Sequence, residues 1–380
     1  MIELFKKFKN DNLKKITNVY QLKYKNSDAS GIGDYIRGSF TLLQMIQHIN
    51  LYSGKNIVFD MDIKNHPISK YIISKNNDSI NYDDLNIYHN INLAKTNTEH
   101  IIPNSYNYVE DFIHFLNNLE PNIGNYCAFF CSFEIFDVFP VEHRNIIKSK
   151  LQPNIEMKKY IDEVMMDLGI TKHSYNVIHI RCPDEVSFNN ESLGLINSYL
   201  EKIKNYVGKN ITNGEKYLLV SNNSQVKSHL TNYFENIFTF FNKICHLASE
   251  NTQTNDSVKG TLLDFYLIGY SNNVKAFSSY IHGSGFSKET CKVFNVPHSY
   301  TYIPITDDDE SSKLILNNAE SKNLVKKYSV LYNIQNIFIY LLLLLVIVIL
   351  IFLYVTNIIN NKKIKKWFDN FIKTCKKYIG

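Results

Sequence analysis

Four stretches of the chain carry side chains that could grip an anion and move a proton. In His179-Ile180-Arg181-Cys182-Pro183-Asp184, strand alternation places His179 and Arg181 on one side, and a guanidinium fork matches the oxygens of a phosphate. Ser30-Gly31-Ile32-Gly33-Asp34-Tyr35-Ile36-Arg37-Gly38 offers glycines that let amides approach a ligand, ahead of a helix whose dipole favours negative charge. Ser221-Asn222-Asn223 supplies hydroxyl and amide groups able to hold a nucleotide at a strand end. In the fourth, Asp264 interrupts the apolar run 262–268, and the hydroxyls and glycines of 277–287, Ser278 and Ser279 among them, precede a further helix, a geometry suited to wrapping a diphosphate. Each stretch also has a plain structural reading. Asp34 and Ser287 are good helix caps, a strand-end His and Arg can be structural, and Ser221-Asn222-Asn223 can be just a turn.

The surrounding pattern gives these residues elements to stand on. Tyr20, Leu22 and Tyr24 alternate as a short strand, a polar glycine-bearing turn follows, and Ile36, Phe40, Leu43 and Ile46 step at helical spacing before a buried strand at 56–60. Strand, loop, helix, strand is a βαβ unit. Residues 80–165 divide less cleanly: 108–119 and 158–168 read as helices, and 128–138 is strongly aromatic. A second unit opens with a strand at 175–181 and continues through a helix at 192–206, a strand at 216–220, helices at 225–233 and 261–270, a strand at 274–278 and a helix after Gly285. The expected fold is therefore α/β, with two Rossmann-like domains, residues 1–168 and 169–305, facing each other across a cleft at their strand ends.

The order Gly-x-Gly-Asp, His-x-Arg-x-x-Asp, a Ser-Asn strand end, then Asp with a later Ser-Ser pair resembles the fucosyltransferase superfamily of α-1,2-, α-1,6- and protein O-fucosyltransferases, over roughly residues 17–300. The resemblance implies a GT-B-like fold, GDP-fucose or a related GDP-sugar as donor substrate with no cofactor or metal, inversion at the anomeric carbon, and a glycan or protein acceptor. It implies that Arg181 holds the β-phosphate and helps the sugar leave, that His179 contacts the nucleotide, that Asp264 reaches the guanine side, and that Ser278 and Ser279 touch the phosphates. Many members carry a second arginine where this chain has Cys182. An inverting displacement also needs a base for the acceptor hydroxyl, and Asp34 is the first candidate, with Asp184 second. The wider expected donor-side set is Gly31, Gly33, His179, Arg181, Asp184, Ser221, Asn222, Asp264, Ser278 and Ser279.

Near the C-terminus, 337–355 is an unbroken apolar run of 19 residues, which as a helix spans about 28 Å, the hydrocarbon thickness of a bilayer. It is expected to be a single transmembrane helix, reached through an acidic linker at 306–336 and followed by a basic tail at 356–380. The tail holds Lys362, Lys363, Lys365, Lys366, Lys373, Lys376 and Lys377, so most of the net charge of +5 is there and the body is close to neutral. That argues against a nucleic-acid binder. An N-terminus without a signal-peptide core points to a cytosolic body, while the positive-inside rule applied to the tail points the other way. Six scattered cysteines read as free thiols, with Cys127 and Cys131 able to share a helix face.

Three other readings compete. Asp60-Met61-Asp62 could be the Asp-x-Asp of a metal-dependent transferase. A membrane-tethered scaffold or carbohydrate-binding protein could keep the fold without turnover. A dinucleotide oxidoreductase would need a third glycine where the chain has Ile36.

Overall fold

Lys15–Val19 (β1) shows almost no polar–apolar alternation because it is an inner strand of a parallel sheet, covered on both faces. The computed structural model describes residues 2–25, 30–73, 80–88, 105–131, 139–183, 193–248, 253–304, 366 and 369–373. β1 leads through helix α2 (Ile32–Ser53) to Val58–Asp62 (β2); Asn125–Phe130 (β4) pairs with the other side of β1, and Ile87–Tyr88 (β3) lies beyond it. All three pairings are parallel, in the order β2-β1-β4-β3.

The strand expected from Tyr20, Leu22 and Tyr24 is displaced: β1 ends at Val19. The tyrosine alternation reflects stacking instead, with Tyr20 4.1 Å from His66 and 4.8 Å from Tyr35, and Tyr24 5.2 Å from Phe129, ring centre to ring centre. The aromatic stretch near 128 is a strand, so Cys127 and Cys131 do not share a helix face. All five described cysteines are free thiols.

The second sheet is built from Asn176–Arg181 (β5), Tyr217–Ser221 (β6), Ile237–Phe238 (β7), Val274–Ser278 (β8) and His298–Tyr302 (β9), all parallel, in the order β7-β6-β5-β8-β9. Helices Leu193–Gly208 (α6), Ser224–Tyr233 (α7), Asn255–Gly269 (α8) and Gly285–Phe294 (α9) join these strands. Further α-helices among the described residues include Ile2–Phe5 (α1), Ser105–Asn117 (α3), Val141–Lys150 (α4) and Ile155–Asp167 (α5). Each sheet leaves its central strand first to one side and then to the other, so each has a switch point, at β1/β4 and at β5/β8.

One apolar core runs through both sheets, from Tyr20, Tyr35 and Phe40 through Ile147 and Ile161 to Phe265 and Tyr266, and residues up to Ile303 form a single compact unit. Among the described residues no helix is long and apolar enough to cross a membrane, and the apolar run at 337–355 lies outside the described residues.

Helix α2 crosses the end of β4 closely. Buried Asn18 brackets Phe130, accepting from its N–H at 2.9 Å and donating to its carbonyl at 3.3 Å, and it also donates to Ser39 Oγ at 2.8 Å. A Cβ at Gly38 would lie 1.7 Å from the Phe130 carbonyl oxygen, a backbone atom already held in place. Gly38→Ala is therefore expected to cost about 2 kcal/mol or more in urea unfolding; an unchanged midpoint would contradict this crossing.

Candidate active site

The switch point of the second sheet places two of the expected residues side by side: Arg181 at the end of β5 pairs in register with Ser278 at the end of β8. The Arg181 guanidinium carbon stands 5.8 Å from the centre of the Tyr280 ring, on the loop that leads into α9. That loop is held by local bonds, with Tyr280 N donating to the Ser278 side-chain Oγ at 3.1 Å and Gly283 N to Tyr280 O at 2.9 Å. Gly283 has φ +75°, a left-handed turn that fits a residue without Cβ, and Tyr300 donates its hydroxyl to the Tyr280 carbonyl. Ser279 lies half-buried beside the Tyr199 hydroxyl.

Two helix N-termini meet at this place. A Cβ on Gly33 would lie 2.6 Å from the carbonyl carbon of Gly285, so the first turns of α2 and α9 touch through backbone alone. The N-caps are Gly31 and Ser284, and neither contributes a side-chain cap bond. In contrast, Asn154, Asn223 and Thr254 cap α5, α7 and α8 with their side chains. The first intrahelical bonds run from Asp34 N to Gly31 O and from Lys288 N to Ser284 O, which leaves the amides of 32–33 and 285–287 ahead of them as the donors a helix start presents to an anion.

Asp34 does not cap α2. It sits in the first turn with its carboxylate paired to Arg37. Ser287 likewise is no cap, its hydroxyl lying 3.4 Å from His298 Nε2.

His179 lies on β5 two residues before Arg181, only 4% exposed, with its ring 6.0 Å from Phe286 in the first turn of α9. Its Nδ1 has no hydrogen-bond partner among the described residues. Burial, helped by the charges of Arg181 and His298, pushes its pKa down to about 3, so the ring is neutral.

Other expected residues serve the frame. Asn222 accepts from Cys182 N at 2.8 Å and donates to Cys182 O at 3.0 Å, locking the turn after Arg181, while Ser221 Oγ accepts from Asn223 N at 3.2 Å. Asp264 is buried inside α8, accepting from Asn242 Nδ2 at 3.3 Å near buried Lys227. Asp184 lies outside the described residues.

The Asp-x-Asp alternative loses its free carboxylates. Asp60 is paired with Lys15 at 2.8 Å and with Lys150, and Asp62 accepts from the Tyr82 hydroxyl and from Lys64 N at 2.7 Å. Sequence reasoning passed over Tyr280, which packs on Arg181, and His246, whose Nε2 would stand 4.0 Å from a Cβ at Gly31. Tyr280 lies within the 277–287 stretch and His246 outside the four stretches, and the tertiary fold sets the contacts of both.

No protein-family model matches the chain, and no curated protein matches it in sequence. Among solved structures, the chain is similar to the NodZ α-1,6-fucosyltransferase of Bradyrhizobium soaked with GDP-fucose, at 12% identity over 75% of this chain and 93% of that one, with a TM-score of 0.43. It is similar to a point mutant of Arabidopsis thaliana FUT1 in complex with GDP, at 10% identity, 80% and 74% coverage and a TM-score of 0.44. A third is POFUT1 in complex with GDP, at 8% identity, 78% and 99% coverage and a TM-score of 0.35. These neighbours are fucosyltransferases.

The buried titratable groups set a pH dependence. Burial lowers His66 and His298 to about 4, as it lowers His179 to about 3, while it raises Asp264 to about 6 against the pull of Lys227 and Asn242. As pH falls below the ordinary histidine value the unfolded chain takes up protons at the histidines first, so their contribution is lost between about pH 6.5 and 4. Asp264 acts oppositely, because the folded state takes up its proton first, but three histidines outweigh one carboxyl. Stability is expected to fall over this window, and Asp264→Asn should steepen the fall by about 1.4 kcal/mol per pH unit. Urea titrations at stepped pH read both; a flat profile would contradict the buried neutral histidines.

Proposed function

We propose that this chain is a glycosyltransferase that takes a GDP-sugar, GDP-fucose first among them, and passes the sugar to a hydroxyl of a glycan or protein. The observation that carries this reading is the pairing of Arg181 with Ser278 at a switch point, beside two touching helix N-termini that no side chain caps. Fixed amides and a guanidinium at one point suit a diphosphate whose negative charge grows as it leaves. The choice of guanine and of fucose rests on the motif order in the sequence. By the same reading residues 1–168 form the acceptor side, 169–305 the donor side, and 337–355 a membrane anchor.

In the proposed reaction the acceptor oxygen attacks the anomeric carbon from the face opposite the diphosphate. The carbon–oxygen bond to GDP breaks, and its electron pair leaves on the β-phosphate, which Arg181 and the amides of 32–33 and 285–287 receive. The acceptor proton passes to a carboxylate, Asp34 in the first instance and Asp184 in the second. His179 is neutral and buried, suited to donating or accepting a hydrogen bond rather than carrying charge.

Thermal melting of the full-length chain tests the donor. GDP and GDP-fucose should raise the melting temperature more than UDP, ADP or NAD, by about 2.7 kcal/mol of added stability at a hundredfold excess over Kd, and Arg181→Ala should abolish the shift. No shift with any GDP species would overturn the proposal. Asp34→Asn should lower turnover by about 100-fold with GDP affinity kept; unchanged turnover would remove Asp34 as the base.

A further inference from the structure

An arginine that receives a phosphate has a long side chain with several rotatable bonds, and ordering it costs free energy unless the protein has already fixed it. At Arg181 the backbone is fixed first. Asn222 accepts from Cys182 N at 2.8 Å and donates to Cys182 O at 3.0 Å, and Arg181 itself pairs in register with Ser278 on β8. The far end of the side chain lies against half-buried Tyr280, with the guanidinium carbon 5.8 Å from the ring centre. That distance is inside the ~6 Å over which a ring face attracts a guanidinium.

Tyr280 is in turn held through its backbone. Its N–H donates to Ser278 Oγ at 3.1 Å, and its carbonyl accepts from Gly283 N at 2.9 Å and from the Tyr300 hydroxyl. Ser278 O accepts from Ile303 N at 2.9 Å, and Tyr300 stands within β9, paired in register with Ala276. The turn closes tightly, since a Cβ at Gly283 would lie 3.1 Å from the Tyr300 ring. The Tyr280 ring also neighbours that of His282, 5.7 Å centre to centre. Residues 278–283 are thus a bracket anchored on β8 and β9, and its ring packs on the residue that ends β5. An aromatic partner suits an anion site. A carboxylate would neutralise the guanidinium and compete with phosphate for it, as Asp34 pairs with Arg37, whereas a ring face attracts the cation without cancelling its charge.

We propose that Tyr280 is a positioning residue for Arg181, its ring holding the guanidinium at the switch point where the outer phosphate of the donor is received. The inference rests on reading the site as a nucleoside-diphosphate site with Arg181 on the β-phosphate. The ring orders the arginine before the diphosphate arrives, so less freedom is lost on binding. It also keeps the positive charge in place as the electron pair of the breaking carbon–oxygen bond moves onto the phosphate. In this role Tyr280 acts on the diphosphate only through Arg181.

Calorimetric titration of the full-length chain with GDP and inorganic pyrophosphate tests this in wild type, Tyr280→Leu, Tyr280→Phe and Tyr280→trifluorophenylalanine. The fluorinated ring keeps the shape of phenylalanine and loses most of the negative potential of its face. Tyr280→Leu should weaken both ligands about 5-fold, Tyr280→Phe should recover most of that loss, and the fluorinated ring should bind as weakly as leucine. Equal binding by Tyr280→Leu and wild type would overturn the role of Tyr280 and leave the nucleotide reading standing. A fluorinated ring that binds as well as Tyr280→Phe would mean that the ring only fills space, which overturns the role too, and that comparison holds even if Tyr280→Leu does not fold. A loss for GDP with none for pyrophosphate would put Tyr280 at the nucleoside and not behind Arg181, again overturning it. Failure of wild type to bind either ligand would overturn the nucleotide reading and this inference with it.

Discussion

At position 33 a Cβ would lie 2.6 Å from the carbonyl carbon of Gly285 and 2.7 Å from its oxygen, so helices α2 and α9 reach contact only because that residue lacks a side chain. Much follows from that contact. Helix α2 packs on the first sheet and α9 belongs to the second, so the touching turns are also where the two halves join. Each N-terminus carries the equivalent of about half a positive charge, and two such ends pressed together repel. An anion between them turns the repulsion into attraction. The turns stay in contact without a side-chain cap bond on either.

The polar groups buried around this point act as clamps. Asn18 ties β1 to the end of β4 and to α2, and Asn222 brackets the backbone of Cys182 just beyond Arg181. Lys227, Asn242 and Asp264 fix the segment that carries His246. Buried polar groups are costly unless bonded, and these are bonded to loops and strand ends, where an apolar core could not set direction. The result is a site whose donors are positioned from below by side chains that do not themselves need to touch a ligand.

Much of this fold was legible in the sequence, and for a physical reason. The strands at 176–181 and 274–278 and the helix beginning at Gly285 follow the expected pattern because short apolar runs bounded by glycine or polar residues have few other readings. The pairing of Arg181 with His179 on one face followed from strand periodicity alone. The inner strand Lys15–Val19 was misplaced because full burial removes alternation, and the tyrosines that follow it imitate a strand while stacking in a core. The helix at Asn255–Gly269 was read six residues short, since its Thr254 capping box with Ser257 does not have the usual acidic partner. Asn222 and Asp264 were legible as polar groups at notable places, but their spatial partners, Cys182 and Asn242, are set by chain crossings that no local pattern records. His246 and Tyr280 escaped for the same reason.

The most direct test of the account is hydrogen–deuterium exchange of the full-length chain with and without GDP. The account predicts slowed exchange at the amides of 32–33 and of 285–287 together, because one anion would engage both helix starts. Protection confined to one of the two, or to neither, would contradict the claim that their contact forms the site.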